Sequence, residues 1–384
     1  MPAPTYLDHA ATTPMRAQAI AAMLPFFDER FANPSGSHRF ARDARRAVDE
    51  ARDRVAAALG VLPGEVVFTG CGTESDNAAI VGALANGGTA VCTAAEHHAV
   101  LHVVEHLDGR LVGVDGWGRV DLDDLAAALG PDVAIVSVMA VNNEVGTIND
   151  LAAVSRLVRE RAPLALLHTD AVQAACWLDL RAITPLVDLM SLSAHKFGGP
   201  KGVGVLTVRD GARLAPLIMG GGQERERRSG THNVAGIVAL AEALCITDAD
   251  RDRENERLGA LRDRLVDGIT SQLDGVLETV PRELKIAGSA HVCFSGVESE
   301  ALLYLLDEAE VCASAASSCA SGAMEQSHVL TAMGVDAEWA QGALRMSLGH
   351  TSSRADIDRA VDVLVDAVTT LRRAQVRRRG VGST

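Results

Sequence analysis

Two reactive side chains stand where apolar runs of this chain end. Lys196 follows the run at residues 187–192 and precedes Gly198-Gly199-Pro200, and Asp170 follows the run at residues 164–167. Packing explains a lysine at a strand end poorly, whereas a Schiff base between its amine and a carbonyl cofactor explains it well. A carboxylate on a neighbouring strand end can hold a pyridine nitrogen protonated, which makes the ring an electron sink. The pair therefore indicates a pyridoxal-phosphate site.

A glycine-rich turn after another apolar run could hold the phosphate of such a cofactor. Residues 70–77 follow the run at residues 66–69 and are predicted to open a helix. The small side chain of Gly72 lets backbone N–H groups approach an anion, the start of a helix favours negative charge, and Thr73 adds a hydroxyl. An ordinary capped turn between a strand and a helix accounts for the same residues.

Histidines follow the run at residues 89–93. His97 could lie on the pyridine ring and move protons near neutral pH, or it could simply fill the strand end. His98, His102 and His106 recur every four residues, which is also a spacing of metal ligands on one helix face. No convincing further ligand accompanies them in the sequence, so a solvated helix face is the simpler interpretation.

Other polar residues are candidates to contact cofactor or substrate. Gln173 could reach the ring oxygen, and Ser193 and His195 could contact the phosphate. An amide in residues 142–146 could bind the ring oxygen or a substrate carboxylate, although Asn and Gly are also ordinary turn residues. Arg345 is a lone charge in an apolar strand, where it could hold a carboxylate with two hydrogen bonds or form a structural ion pair.

One cysteine lies among small and hydroxyl residues. Cys319 occupies the segment 312–322, whose composition predicts a solvated loop, whereas Cys245 and Cys293 have apolar neighbours typical of buried thiols. A thiolate in such a loop could move between the cofactor site and an acceptor. A second glycine-rich loop, at residues 220–231, carries arginines and Thr231 and could reach a phosphate across a dimer interface.

The elements that must position these residues alternate along the chain. Short β-rich runs and helical stretches follow one another up to about residue 250, which predicts a mostly parallel sheet with helices on both faces. Ligands bind at the carboxyl ends of strands in such sheets. A helical stretch at residues 248–273 then leads into a second, smaller α/β unit with strands at about residues 291–295 and 343–348.

Composition sets the broad class of the protein. The chain has 384 residues, a formal net charge of −14 and seven cysteines without a Cys-x-x-Cys pair. The negative charge argues against nucleic acid as the main partner. Single, unpaired cysteines indicate a reducing compartment, and no apolar run has the ~18 residues that a membrane span needs. We expect a cytoplasmic protein without a membrane partner.

The assembled motifs resemble those of the cysteine desulfurases, a family in the class-V aminotransferase superfamily. The resemblance covers nearly the whole chain and is carried by these segments: residues 6–14, 33–38, 67–70, 73–77, 96–97, 142–146, 168–173, 193–196, 228–231, Cys319 and residues 345–349. It implies the α/β fold of type I pyridoxal-phosphate transferases, with a mostly parallel seven-stranded sheet flanked by helices and a smaller C-terminal α/β domain. The implied large domain is 15–253, and the small domain combines 1–14 with 254–384 and carries the cysteine loop at about 312–327.

The resemblance also implies a role for each matching residue. Lys196 is similar to the Schiff-base lysine, Asp170 to the pyridinium partner and His97 to the ring-stacking acid and base. Cys319 is similar to the nucleophile that receives sulfur from L-cysteine as a persulfide, leaving L-alanine. The remaining implied contacts are Gln173 with the ring oxygen; Gly72, Thr73, Ser193, His195 and, from a second subunit, Thr231 with the phosphate; Asn143 and Arg345 with the substrate carboxylate.

Several alternatives share this set of residues. A selenocysteine lyase or a cysteine sulfinate desulfinase would differ only in the loop and in selectivity, and another class-V aminotransferase would not need Cys319. A non-catalytic module could instead hold a metal through the histidines of the predicted helix. The resemblance implies a homodimer that passes sulfur to an iron–sulfur scaffold protein or a tRNA-thiolation enzyme. Cys312 matches no catalytic position of the family, and His350 stands where relatives tend to carry arginine.

Overall fold

The computed structural model describes residues 4–315 and 326–381. Its strands are β1 Thr5–Tyr6, β2 Val66–Thr69, β3 Thr89–Thr93, β4 Arg110–Val112, β5 Val133–Ser137, β6 Leu166–Asp170, β7 Leu189–Ser193, β8 Gly204–Val208, β9 Val276–Glu278, β10 Ser289–Phe294, β11 Val311–Cys312 and β12 Ala343–Ser347. Its helices are α1 Ala17–Met23, α2 Arg39–Leu59, α3 Gly72–Ala83, α4 His98–His106, α5 Leu122–Ala128, α6 Leu151–Arg161, α7 Leu180–Ile183, α8 Val234–Thr270, α9 Ser299–Glu308, α10 His328–Ala332, α11 Ala337–Ala340 and α12 Arg354–Val381.

Seven strands form the main sheet, in the order β2-β8-β7-β6-β5-β3-β4. Strand β8 runs antiparallel to both of its neighbours, and the other pairs are parallel. The inner strands β5, β7 and β8 are buried and largely apolar, as expected when helices cover both faces of a parallel sheet. The predicted fold class, a mostly parallel seven-stranded α/β sheet, is confirmed.

The carboxyl ends of the parallel strands bring the chemistry-bearing residues to one edge of the sheet. Asp170 is the last residue of β6, and Lys196 ends a short 3₁₀ turn directly after β7. His97 caps α4 after β3, and Cys71 caps α3 after β2. The sheet thus brings residues from four separate segments together at its carboxyl edge.

Helix α8 connects the main core to a second core. Ala243 and Leu244 pack with the main sheet, whereas Leu258 and Leu265 pack with the apolar residues around β10 and β12. The predicted helical stretch began at residue 248, but the helix begins at Val234 because the Asn233 side chain accepts a hydrogen bond from the Gly236 N–H. The charge-rich stretch from residue 248 is therefore the second part of α8, and the first part of this helix is apolar.

The second core lies beneath a three-stranded antiparallel sheet in the order β12-β10-β9. Helices α9 and α12 cover it, and β1 near the N-terminus pairs in parallel with β11. Helices long and apolar enough to span a membrane are absent from the described part of the chain. The six cysteines in that part are free thiols.

Candidate active site

A cleft of about 350 Å³ opens at the carboxyl edge of the main sheet. Ten of the predicted site residues line it: Gly72, Thr73, His97, Asn143, Asp170, Gln173, Ser193, His195, Lys196 and Arg345. They come from strand ends, from the start of α3 and from β12 of the second sheet. The structure therefore gathers these sequence-distant residues around one cleft.

Lys196 is held against the N-terminal segment of the chain. Its Nζ donates to the carbonyl oxygen of Ala10 at 2.6 Å and to that of Ala11 at 2.8 Å. Burial and the charge of Arg345 lower the pKa of this amine to about 8, although the charges of Asp170 and Asp8 oppose the shift. A substantial fraction of the amine is consequently unprotonated, and thus nucleophilic, slightly above neutral pH.

Asp170 lies at the floor of the cleft. Its Oδ1 accepts a hydrogen bond from the Val172 N–H at 2.8 Å, which fixes the orientation of the carboxyl group. Burial raises its pKa to about 6, against the effects of that hydrogen bond and of the Lys196 charge. Gln173, one turn further on, donates to the carbonyl oxygen of Ala10 at 2.8 Å.

A buried polar chain supports the floor behind Asp170. His168 contacts Ser137 Oγ through Nδ1 at 2.8 Å and Ser191 Oγ through Nε2 at 2.9 Å. Asp76 Oδ1 lies 3.6 Å from His168 Nε2 without a hydrogen-bond partner. Burial and the charge of Asp170 raise the pKa of Asp76 well above its usual range, and burial lowers that of His168 to about 3, so the His168 ring is neutral near pH 7.

His97 stands on the wall of the cleft. Its Nδ1 accepts the Ala99 N–H at 3.1 Å, so the neutral ring carries its proton on Nε2. Burial and the charge of Lys196 lower its pKa to about 4, which keeps the ring neutral. Behind it, the buried Glu96 accepts hydrogen bonds from Thr93 and from the Met139 N–H, which anchors the turn between β3 and α4.

The start of α3 forms one end of the cleft. Gly72 is so close to Val172 that a Cβ there would come within 2.7 Å of Val172 Cγ2, so the close approach requires glycine. Ser193 ends β7 at the same place, and His195 Nδ1 contacts Thr12 Oγ1 at 3.1 Å. Unpaired N–H groups of the first helical turn and these hydroxyl and imidazole groups form a site suited to an anion.

Arg345 reaches the opposite end of the cleft from β12. One of its terminal nitrogens donates to the Asn143 carbonyl at 2.9 Å and the other pairs with Asp8 Oδ1 at 2.7 Å. The structural ion pair that the sequence left open is thus present. Arg345 also lines the cleft, so a carboxylate could still approach it.

Of the predicted site residues that the structure describes, Thr231 lies outside this cleft. Thr231 is exposed and lines a separate pocket beside Gly70 and Arg228. Cys319 lies outside the described residues, so its predicted position stays a prediction. Cys312, on the approach to it, ends β11 and is half-buried.

The histidines of α4, whose spacing left a metal face open as an alternative, contact one another and a neighbouring helix. His98 stacks on His102 at 4.5 Å between ring centroids and lies equally close to His328 of α10, while His106 is at the far end of the helix. Within residues 4–315 and 326–381, we find no cluster of three or more side chains with the geometry of a metal site.

Sequence reasoning did not assign several residues of the cleft. Glu144 lies inside the segment 142–146, and Asp76 lies one helical turn after Gly72. Their positions in these motifs are a sequence signal for site residues. His328 gives no such signal, because only the tertiary fold brings α10 to His98. Other residues of the cleft wall that were not assigned are Ala10, Ala11, Cys71, His98, Met139 and Val172.

The fold agrees with comparisons to known proteins. The chain belongs to the aminotransferase class-V family, whose sequence pattern matches residues 5–360. A curated relative from Mycobacterium tuberculosis, named IscS-like cysteine desulfurase, is 44% identical over 391 residues, which cover 98% of this chain and 99% of the relative. Another, cysteine desulfurase IscS of Dictyoglomus turgidum, is 42% identical over 376 residues, covering 96% of this chain and 95% of the relative.

Solved structures give the same result. A NifS-like protein superposes with a TM-score of 0.89 at 34% identity, covering 96% of this chain and 100% of that structure. A structure described as SspA in complex with cysteine has a TM-score of 0.77 at 29% identity, covering 89% of this chain and 98% of that one.

Proposed function

We propose that this protein is a pyridoxal-phosphate-dependent cysteine desulfurase, which converts L-cysteine to L-alanine and transfers the sulfur to its own Cys319. The observation that carries the proposal is the convergence of Lys196, Asp170 and His97 in one cleft with Arg345. Membership of the class-V family and the names of relatives more than 40% identical over nearly the whole chain support the same reaction.

The side chains of the cleft fit pyridoxal phosphate. Asp170 offers a fixed carboxylate for a pyridine nitrogen, and Lys196 offers an amine whose pKa of about 8 suits bond formation with an aldehyde. The start of α3 with Thr73, Ser193 and His195 offers the donors that a phosphate needs. Asp76 Oδ1, buried and without a partner, is a further polar atom in the same wall. The bound pyridine ring would withdraw electrons from the substrate Cα.

The chain's own residues would orient the substrate and move protons. Arg345 and Asn143 would hold the carboxylate of L-cysteine and so fix the orientation of its Cα. The Lys196 amine would accept the Cα proton. The neutral His97 ring carries its proton on Nε2, from which it would donate a hydrogen bond.

The sulfur step requires a thiolate and balances without an external oxidant. Cys319 Sγ would attack the substrate sulfur, so an S–S bond forms and the Cβ–S bond breaks. The electron pair stays with Cβ, which takes up a proton and becomes the methyl group of alanine, and Lys196 would return a proton to Cα. The enzyme keeps a persulfide in place of its thiol, and only the thiolate form is an effective nucleophile.

The assembly and the partners extend this proposal. We infer a homodimer in which Thr231, exposed and outside its own cleft, contacts the phosphate bound by the other subunit. The persulfide would pass to an iron–sulfur scaffold protein or a tRNA-thiolation enzyme. We also propose a cytoplasmic location, where the six described cysteines would stay reduced, and a division into domains at 15–253 and 1–14 with 254–384.

Product analysis tests the proposed reaction. Purified protein loaded with pyridoxal phosphate should release alanine and sulfide in equal amounts from L-cysteine in the presence of a thiol reductant. Lys196→Ala should release neither and should lack the visible absorbance of the bound cofactor, because no other amine replaces Nζ. The matched control Lys201→Ala removes an exposed lysine five residues away and should behave as the native protein. Pyruvate in place of alanine, or normal colour in Lys196→Ala, would contradict the proposal.

A further inference from the structure

Within residues 4–315 and 326–381, three buried polar atoms on and beside Arg345 have no hydrogen-bond partner. They are Oε1 of Glu144, Nε2 of His291 and Nε of Arg345. Glu144 Oε1 and His291 Nε2 lie 3.8 Å apart, and the side chains of both residues are at most 2% exposed. Buried polar atoms are nearly always paired, so a cluster of three requires a chemical explanation.

The backbone holds these three residues in place. His291 of β10 and Arg345 of β12 are directly opposite each other in the antiparallel sheet, so their side chains are on the same face. Glu144 comes from the turn after β5, where the Asn142 side chain accepts its N–H at 2.9 Å and Gly146 closes the turn with φ +82°. Glu144 lines the cleft, and its carboxyl group also lies beside the His291 ring.

The other side-chain nitrogens of Arg345 and His291 have hydrogen-bond partners among the described residues. One terminal nitrogen of Arg345 donates to the Asn143 carbonyl and the other donates to Asp8. His291 Nδ1 contacts Thr279 Oγ1 at 2.8 Å. Asp8 already compensates the positive charge of Arg345. A second negative charge, on Glu144, would give this end of the cleft a net charge of −1 and repel a carboxylate.

Burial favours an uncharged Glu144 at neutral pH. It raises the pKa of Glu144 to about 7, against a hydrogen bond with Ser327 and the charge of Arg345. Burial and the charges of Lys285 and Arg345 lower the pKa of His291 to about 3, so this ring supplies no compensating charge. The titratable and polar groups that face Glu144 are His291 and Cys293 from β10, Arg345 from β12 and Ser327 from the start of α10.

We propose that Glu144 and His291 are positioning residues for Arg345, and that only the uncharged form of Glu144 leaves Arg345 available to the carboxylate of an amino-acid substrate. This inference rests on the proposed function, in which Arg345 holds the carboxylate of L-cysteine. Affinity for that carboxylate is then highest well below pH 7 and is lost as the pH rises through about 7 and Glu144 ionises. Glu144 acts through Arg345 and does not touch the reacting atoms.

Binding of L-alanine to the pyridoxal-phosphate-loaded protein tests the proposal, because alanine has the substrate carboxylate without a titrating thiol. The dissociation constant is read from the change in visible absorbance between pH 6 and pH 9. Ethylamine, which lacks the carboxylate, is measured in parallel. In the native protein, affinity for L-alanine relative to ethylamine should fall by about tenfold across this range, as expected for one added negative charge nearby. In Glu144→Gln, the ratio of the affinity for L-alanine to that for ethylamine should not change with pH.

The controls separate this inference from the proposed function. The exposed Glu283→Gln variant should keep the native pH dependence. The inference would be overturned if the affinity of Glu144→Gln for L-alanine, relative to ethylamine, fell with pH as it does in the native protein. It would also be overturned if the affinities of the native protein for ethylamine and for L-alanine fell equally. This second outcome is measured on the native protein alone and does not depend on whether a variant folds. A native protein that shows no absorbance change with L-alanine or L-cysteine at any pH would instead contradict the proposed function itself.

Discussion

Burial sets the protonation of the reactive side chains in the cleft. Desolvation lowers the pKa of Lys196 to about 8 and that of His97 to about 4, while it raises that of Asp170 to about 6. Each shift favours the uncharged form, and each group keeps a fixed hydrogen bond that defines its orientation. The pKa values of Lys196 and Asp170 therefore lie closer to neutral pH than those of free lysine and aspartate, whereas the His97 ring stays neutral.

Gly72 is a residue whose size alone should control cofactor binding. In Gly72→Ala, the new Cβ would stand 2.7 Å from Val172 Cγ2 and 3.3 Å from Ser193 Cβ, so the start of α3 must shift together with the phosphate donors that it carries. We expect affinity for pyridoxal phosphate to fall by about tenfold, since a shifted donor set loses of the order of one hydrogen bond. The measurement is titration of the cofactor-free protein with pyridoxal phosphate, followed by its visible absorbance.

Gly116→Ala is the control for this prediction, because no neighbouring atom lies within 4 Å of the added Cβ and its φ is not in the left-handed region. Equal affinity for the cofactor in Gly72→Ala and Gly116→Ala would show that the close approach of α3 to Val172 does not shape the phosphate site.

The sequence predicts site residues well where the chemistry coincides with a strand end. Lys196, Asp170 and His97 could be identified because parallel strands place their carboxyl ends together. The same logic could not reveal that Ala10 and Ala11 accept hydrogen bonds from Lys196, or that His291 faces Glu144. Those contacts depend on how the second sheet and the N-terminal segment dock, which no local pattern encodes.

At the scale of single elements, one short turn is both strained and strongly anchored. Glu224, Arg225 and Glu226 all have positive φ, between 49° and 67°, a region that residues other than glycine rarely adopt. The buried Glu224 carboxylate accepts hydrogen bonds from Arg52 at 2.6 and 2.9 Å, from the Phe68 N–H at 2.9 Å and from His232 at 2.7 Å. This anchor holds the loop that leads to Thr231.

Replacing this anchor should destabilise the protein. Burial opposes ionisation of Glu224, but hydrogen bonds from His232 and Arg52 and the charge of Arg52 lower its pKa to about 2 from an ordinary 4.5. The stabilisation, about 3 kcal/mol, is therefore complete above pH 4.5 and is lost as the pH falls towards 2. Glu224→Gln should lower the free energy of unfolding by about 3 kcal/mol at pH 7, as measured by urea denaturation.

The difference between native protein and Glu224→Gln should shrink below pH 4.5, because the native carboxylate is then increasingly protonated. Glu226→Gln changes an exposed carboxylate in the same turn and should alter stability by less than about 0.5 kcal/mol. A Glu224→Gln variant as stable as Glu226→Gln would contradict the anchoring role.

Element boundaries were harder to predict than element types. The apolar run at residues 164–167 predicted a strand, but β6 is Leu166–Asp170, and Leu164 is 90% exposed. His168 and Thr169 are polar residues in a buried strand, since Ser137, Ser191 and the Val138 carbonyl satisfy their hydrogen bonds. A hydropathy pattern cannot predict such a strand, because the partners come from other strands.

For the whole molecule, the cleft depends on two packed cores and the N-terminal segment. Trp177 packs against both cores, and a Cβ at Gly288 would come within 2.6 Å of two atoms of its ring. Lys196 and Asp170 come from the main sheet, whereas Arg345 comes from the second sheet. The change in composition near residue 250 predicted a second unit, but only the three-dimensional structure places Arg345 in the cleft.

The central claim is that sulfur from L-cysteine moves to the thiol of Cys319. The most direct measurement is the intact mass of the pyridoxal-phosphate-loaded chain after reaction with L-cysteine in the absence of reductant, together with the alanine released. The native protein and the matched Cys312→Ala variant should each gain one sulfur atom and release one alanine per chain, while Cys319→Ala should do neither. Undiminished alanine release by Cys319→Ala, or the same gain of sulfur in its mass, would contradict the account.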